Sequence, residues 1–154
     1  MRRVALDANL LVLLVVGSVK RSLIGTHRRL QEYLPEDFPL LIEHLGERDL
    51  VTIPNALTEA SNLLPSSVAE PDRSELMAAL ANFADQAAET YVPSARACSD
   101  ANYLRLGLTD VAWLAMLDRE TELLTADLAL YRAALDRGLV ATNFNHLRDP
   151  RPEM

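Results

Sequence analysis

Among 22 acidic side chains, four stand where a charge asks for a reason: Asp7, Glu59, Asp110 and Asp127. Asp7 is the sharpest case. It follows Val4-Ala5-Leu6 and precedes the apolar run Leu10 to Val16, and a charge in such surroundings is either paired or ligated. Asp110 and Asp127 stand at the expected starts of two helices, and Glu59 lies within a third. Carboxylates brought together repel, so a cluster of them needs protons or divalent cations to be tolerated. Hard oxygen donors select Mg²⁺ or Mn²⁺, which in pairs clamp the attacking and leaving oxygens of a phosphodiester. Each acid alone also has a plain structural reading. Asp127 can be a helix cap, Asp110 a favourable first-turn charge, and Glu59 a solvated helix residue.

Much other chemistry lacks its residues. Cys98 is the lone cysteine, so neither an intrachain disulfide nor a cysteine-based zinc site can form. Gly17, Gly25, Gly46, Gly107 and Gly138 never occur as GxG, no GxxxxGK precedes Lys20, and there is no GxSxG elbow. His27, His44 and His146 show no ligand spacing and read as surface or satisfied histidines. A phosphatase of the haloacid-dehalogenase type wants Asp-x-Asp after its first strand and a later lysine. Here the order is Asp7-Ala8-Asn9, and the single lysine comes early. Trp113, Leu114 and Leu117 read as core, and Cys98 as a small buried hydrophobe.

Charge adds a constraint. The chain carries −7 net, whereas a polyanion binder draws its affinity largely from positive charge. A nucleic-acid substrate would need bound cations or a local basic patch. The stretch Lys20 to Arg29 is the most basic, and it reads either as an RNA-backbone contact or as a solvated face.

The elements that must position these acids follow from the pattern. Val4–Leu6, Leu50–Ile53, Tyr91–Val92, Glu122–Thr125 and Leu139–Thr142 read as short strands. Between them, helices are expected at 9–19, 36–45, 54–64, from Pro71 along the stripe Leu76, Met77, Leu80, Phe83, Ala84 and Ala87, from Ser94 to Gly107, at 109–117 and at 127–137. The Leu76 to Ala87 stripe reads as core or as part of a dimer face. Strands alternating with helices imply an α/β domain with a mainly parallel sheet. In such sheets ligands bind beyond the carboxyl ends of the strands. All four acids can converge on that edge.

With 154 residues the chain reads as one domain over 1–147, followed by a loose tail over 148–154 containing Pro150 and Pro152. The apolar run Leu10 to Val16 is far shorter than the ~20 residues that span a bilayer. Asp7 and Asn9 also spoil the apolar region of a signal peptide. A soluble cytoplasmic protein without membrane association is the expectation.

The contexts VALDANLLVLL, IPNALTEASNLL, LGLTDVAWLAM and LLTADLALYRAA, with the closing VATNF, together resemble the PIN-domain ribonuclease family, and most closely its VapC-type toxins. The resemblance spans nearly the whole chain and matches the family's four acids in order. It implies a three-layer α/β/α sandwich. It also implies that Asp7, Glu59, Asp110 and Asp127 bind one or two Mg²⁺ or Mn²⁺ ions, with Asp7 central, and that metal-activated water hydrolyses RNA. Asn9 and Thr125 match small polar positions beside the acids and would orient carboxylates or a bound water, with capping or turn formation as their alternative. The toxins are typically homodimers silenced by a cognate antitoxin, so both partners are expected. The alternative is a PIN-like RNA-binding or assembly module with little catalysis. One departure is the segment from Gly17 to Asp49, longer than the compact toxins usually have.

Overall fold

In the computed structural model, which describes residues 1–149, the apolar run after Arg2 becomes the central strand of a five-stranded sheet. Strand β1 (Arg3–Leu6) lies between β2 (Asp49–Thr52) and β4 (Thr121–Thr125), with β3 (Ala88–Glu89) and β5 (Ala141–Asn143) outermost, in the order β3-β2-β1-β4-β5. Every pairing is parallel, with Val4 opposite both Leu50 and Glu122. Parallel neighbours require crossovers, which the helices supply.

Side-chain alternation along the strands builds two cores. Val4, Leu6 and Leu124 point to one face, where α1 (Ala8–Val19), α2 (Asp37–Leu45), α3 (Pro54–Leu63) and α4 (Asp72–Gln86) pack. Ala5 and Leu123 point to the other, toward α5 (Ser94–Cys98), α7 (Leu108–Met116) and α8 (Leu128–Asp136). The result is an α/β/α sandwich. Helix α1 is apolar nearly all round because other elements cover it on several sides. Among the described residues no helix is long and apolar enough to cross a membrane.

The long segment from Gly17 to Asp49 is part of the fold. Ile24, Leu30, Tyr33, Phe38 and Leu41 enter the first core. His27 is buried and doubly bonded: its Nε2 meets the Leu64 carbonyl at 2.8 Å and its Nδ1 accepts the Arg29 N–H at 3.1 Å. The basic stretch is divided in use. Lys20 pairs with Asp72, Arg21 lies over the Phe38 ring, and Arg28 and Arg29 are exposed on a 3₁₀ turn.

Several boundaries differ from the sequence expectation. The third strand is Ala88–Glu89 rather than Tyr91–Val92: α4 ends at Gln86, the chain pairs with β2 at once, and Pro93 lacks the N–H to prolong pairing. The expected helix from Ser94 to Gly107 is two, α5 and α6 (Tyr103–Leu106). The Asp100 carboxylate accepts the Asn102 N–H, the local bond that makes a turn there. The last strand starts at Ala141 because the Leu139 N–H is already spent on the Ala134 carbonyl, closing α8 around Gly138 at φ +73°. Arg148, expected in a loose tail, lies in α9 (Phe144–Arg148). Its Nε donates to Asp37 at 3.0 Å and its guanidinium covers the Tyr33 ring. The rest of the expected tail, from Pro150, lies outside the described residues.

Candidate metal centre

Strand order sets the position of the site. From β1 the chain proceeds outward through β2 to β3, then returns to the opposite side of β1 for β4 and β5. Adjacent strands whose connections leave in opposite directions open a crevice at their carboxyl ends. Asp7 follows β1 directly, and Asp127 stands two residues beyond β4.

Both acids are fixed by hydrogen bonds. Asp7 is buried and caps α1, its Oδ1 accepting the Ala8 N–H at 2.8 Å. Its Oδ2 accepts the Thr125 hydroxyl at 2.7 Å. The same hydroxyl oxygen accepts the Asp127 N–H at 3.0 Å, so the last residue of β4 ties the two acids together. Asp127 caps α8 through Oδ1, which accepts from Ala129 and Leu130 at 2.9 and 3.1 Å. Its capping role is therefore real and uses one oxygen. Asp110, in the first turn of α7, and Glu59, midway along α3, make no side-chain hydrogen bond within the described residues.

Glu59, Asp110 and Asp127 line one cleft of about 490 Å³, together with Thr58, Asn62 and the stretch from Leu106 to Thr109. Gly107 at φ +87° makes the turn from α6 into α7 that forms part of its wall. Electrostatics binds Asp7 to the same group. Burial first, then Asp7, Asp127 and Glu59, push the Asp110 carboxyl up to about 7. Burial, then Asp7 and Asp127, raise Glu59. Asp7 is raised by burial, against which the Thr125 hydroxyl and the Ala8 N–H act most strongly. Glu59, Asp110 and Asp127 thus share one cleft, and Asp7, which does not line it, is linked to them by its charge.

What the acids lack is a base. Every ion pair among the described residues lies elsewhere. Glu122, also buried, shows the contrast: burial would raise it, yet His44 at 2.7 Å and Arg48 at 3.0 Å hold it below the usual glutamate range. The uncompensated set of four carboxylates has the chemistry of a hard divalent-cation site. Among the described residues no three His, Cys, Asp or Glu form a ready-drawn metal-holding group. An ion would have to gather the carboxylates against their mutual repulsion.

The residues expected beside the acids divide. Thr125 bonds Asp7 as described, whereas Asn9 is exposed at the second position of α1 and bonds none of the four acids. Trp113 is core as expected, and its buried indole N–H has no hydrogen-bond partner among the described residues. Trp113 follows Asp110 by three residues, one turn along a helix face, and a buried indole N–H wants an acceptor.

A larger hollow, about 650 Å³, lies at the opposite end of the strands, lined by Met1, Arg2, Arg3, Asp49, Arg119 and Glu120. Its charges are of both signs, and Arg3 approaches Asp118 and Glu120 at 3.6 Å. The acidic cleft holds the stronger claim to chemistry because its charges are unbalanced. No protein-family model, curated protein or solved structure matches the chain.

Proposed function

We propose that this protein is a divalent-cation-dependent endoribonuclease of the PIN type, the toxin of a type II toxin–antitoxin pair. The observation that carries the reading is the convergence of four carboxylates, from four separate elements, with no basic partner among the described residues. The ordered resemblance in sequence around each acid supports the same assignment.

Asp7, Glu59, Asp110 and Asp127 would hold one or two Mg²⁺ or Mn²⁺ ions. Such ions supply charge neutralisation and activation of water for in-line attack on phosphorus. The chain's own residues divide the remaining work. Asp7 and Asp127 are rigid ligands, because backbone N–H groups and Thr125 already set their carboxylate planes. The Asp127 Oδ2 is the oxygen its cap leaves over. Glu59 and Asp110 carry no such bonds and are free to adjust to an ion and a phosphate. An RNA phosphate is repelled from the bare cleft, so substrate binding and cation binding are coupled in this reading. A homodimer and an inhibitory antitoxin belong to the proposal through the family resemblance.

The test is cleavage of labelled single-stranded RNA by purified protein with Mn²⁺ or Mg²⁺. Cleavage that disappears with EDTA and in Asp7→Asn supports the nuclease. Equal cleavage by Asp7→Asn, or none by folded, partner-free protein on single-stranded and structured RNA, counts against it. The second of these outcomes favours an RNA-binding or assembly module.

A further inference from the structure

Among the described residues, no basic side chain lines the cleft of Glu59, Asp110 and Asp127. The rest of its lining is neutral: leucines, a glycine, threonines and one asparagine, Asn62. An RNA strand brings two kinds of group to such a surface. Its phosphates are anions, repelled by carboxylates and drawn to bound cations. Its bases are neutral, with apolar faces and a hydrogen-bonding edge. The neutral lining has the chemistry of the second kind.

Asn62 follows Glu59 by three residues on α3, so the two side chains leave the helix on one face. Both are exposed and line the same cleft. The Asn62 side chain makes no hydrogen bond within the described residues, whereas Asn82, Asn102, Asn143 and Asn145 each accept one. Its amide sets a donor beside an acceptor, the arrangement by which asparagine pairs with a base edge. Leu106 and Leu108, half-buried on either side of Gly107, add apolar surface to the cleft. Apolar walls with a few polar groups, in a volume of about 490 Å³, are the build of a site for one small ligand group.

We propose that Asn62 is the specificity-determining residue of this cleft: its side-chain amide hydrogen-bonds the edge of one nucleobase next to the phosphate that is cut. The proposal rests on the ribonuclease reading above. It divides the cleft by charge. The acids and their cations take the phosphate, and the neutral lining takes the base. A base read in this way is unpaired and out of its stack, since its edge and its face are both in use.

The test is cleavage of a pool of single-stranded RNA of randomised sequence in Mn²⁺, by the parent and by Asn62→Ala. Sequencing of the product ends gives the bases on each side of every cut. The parent is expected to prefer one base at one flanking position. Asn62→Ala is expected to lower the discrimination at that position by about 5–150-fold, the range of one bidentate base contact, and to keep preferences at other positions. An equal preference in both proteins, or none in the parent, overturns the role of Asn62 and leaves the nuclease standing. A parent that cuts no RNA overturns both. A folded Asn62→Ala that cuts no sequence makes Asn62 necessary for cleavage itself and overturns its role as the reader of one base. Alanine suits an exposed helix position, and circular dichroism checks the fold. Asn62→Ser gives the same decision should the alanine variant not fold.

Discussion

Thr125 shows how one hydroxyl can organise a site: it donates to Asp7 and accepts from the backbone of Asp127. Thr125→Val keeps the shape and removes both bonds, leaving a buried carboxylate oxygen and an N–H short of a partner. Each such loss costs about 1–3 kcal/mol, so urea unfolding should show a clear destabilisation. Cation affinity should fall about 10–100-fold for the same reason as in other outer-shell changes. Thr125→Ser restores the hydroxyl and should recover most of both. A valine variant equal to the parent in stability and Mn²⁺ affinity would mean that the hydroxyl positions nothing.

At the level of elements, the crossing of α1 and α2 depends on a missing side chain. A Cβ on Gly17 would stand 2.1 Å from Cδ2 and 2.5 Å from Cγ of Phe38, too close for any side chain and too near the root of the ring for a simple swing. Alanine is the better helix former by roughly 1 kcal/mol. The overpacking cost is about 1–3 kcal/mol and should win, so Gly17→Ala is expected to lower the urea midpoint. Stability equal to or above that of the parent would show that the ring yields freely. The same helices carry the long segment into the core, and Arg148 fastens its middle through Asp37 and Tyr33. That segment is consequently a structural layer of this fold.

For the whole molecule, the cluster of acids makes stability depend on pH in a definite direction. In the folded protein the Asp110 carboxyl is pushed up to about 7, against 3.8 for an ordinary aspartate, and Glu59 and Asp7 are raised too. Between these limits the folded chain holds protons that the unfolded chain has released, so stability falls as pH rises. Glu122, Asp100 and Asp118 shift the other way and act only near or below the ordinary carboxylate range. In EDTA the Tm is therefore expected to drop between about pH 5 and pH 7 and to level off above. Mg²⁺ at the higher pH should restore it, by about 2.7 kcal/mol when the ion exceeds its Kd by 100-fold. Asp110→Asn should raise the Tm in EDTA at the higher pH and weaken the response to Mg²⁺. A Tm indifferent to Mg²⁺ at both pH values would overturn the proposal of a metal centre.

The sequence by itself determined the class of fold and the order of its elements, because burial leaves its record as local periodicity: Val4-Ala5-Leu6 alternating between two cores, α1 apolar all round, helices between strands. It also made Asp7, Glu59, Asp110 and Asp127 legible as candidates, since each stands at the end of a strand or in a helix between strands. Boundaries were less legible where a hydrogen bond decided them, as at Leu139, whose N–H goes to the α8 cap, and at Asp100, whose carboxylate turns the chain between α5 and α6. Only the tertiary structure decided which acids are compensated. Glu122 lies as deep as Asp7, but His44 and Arg48, more than 70 residues away in sequence, supply it with partners. Asp7 receives the Thr125 hydroxyl and the Ala8 N–H instead of a base. Such partners are set by distances across the fold, and no local pattern in the chain encodes a distance between residues so far apart.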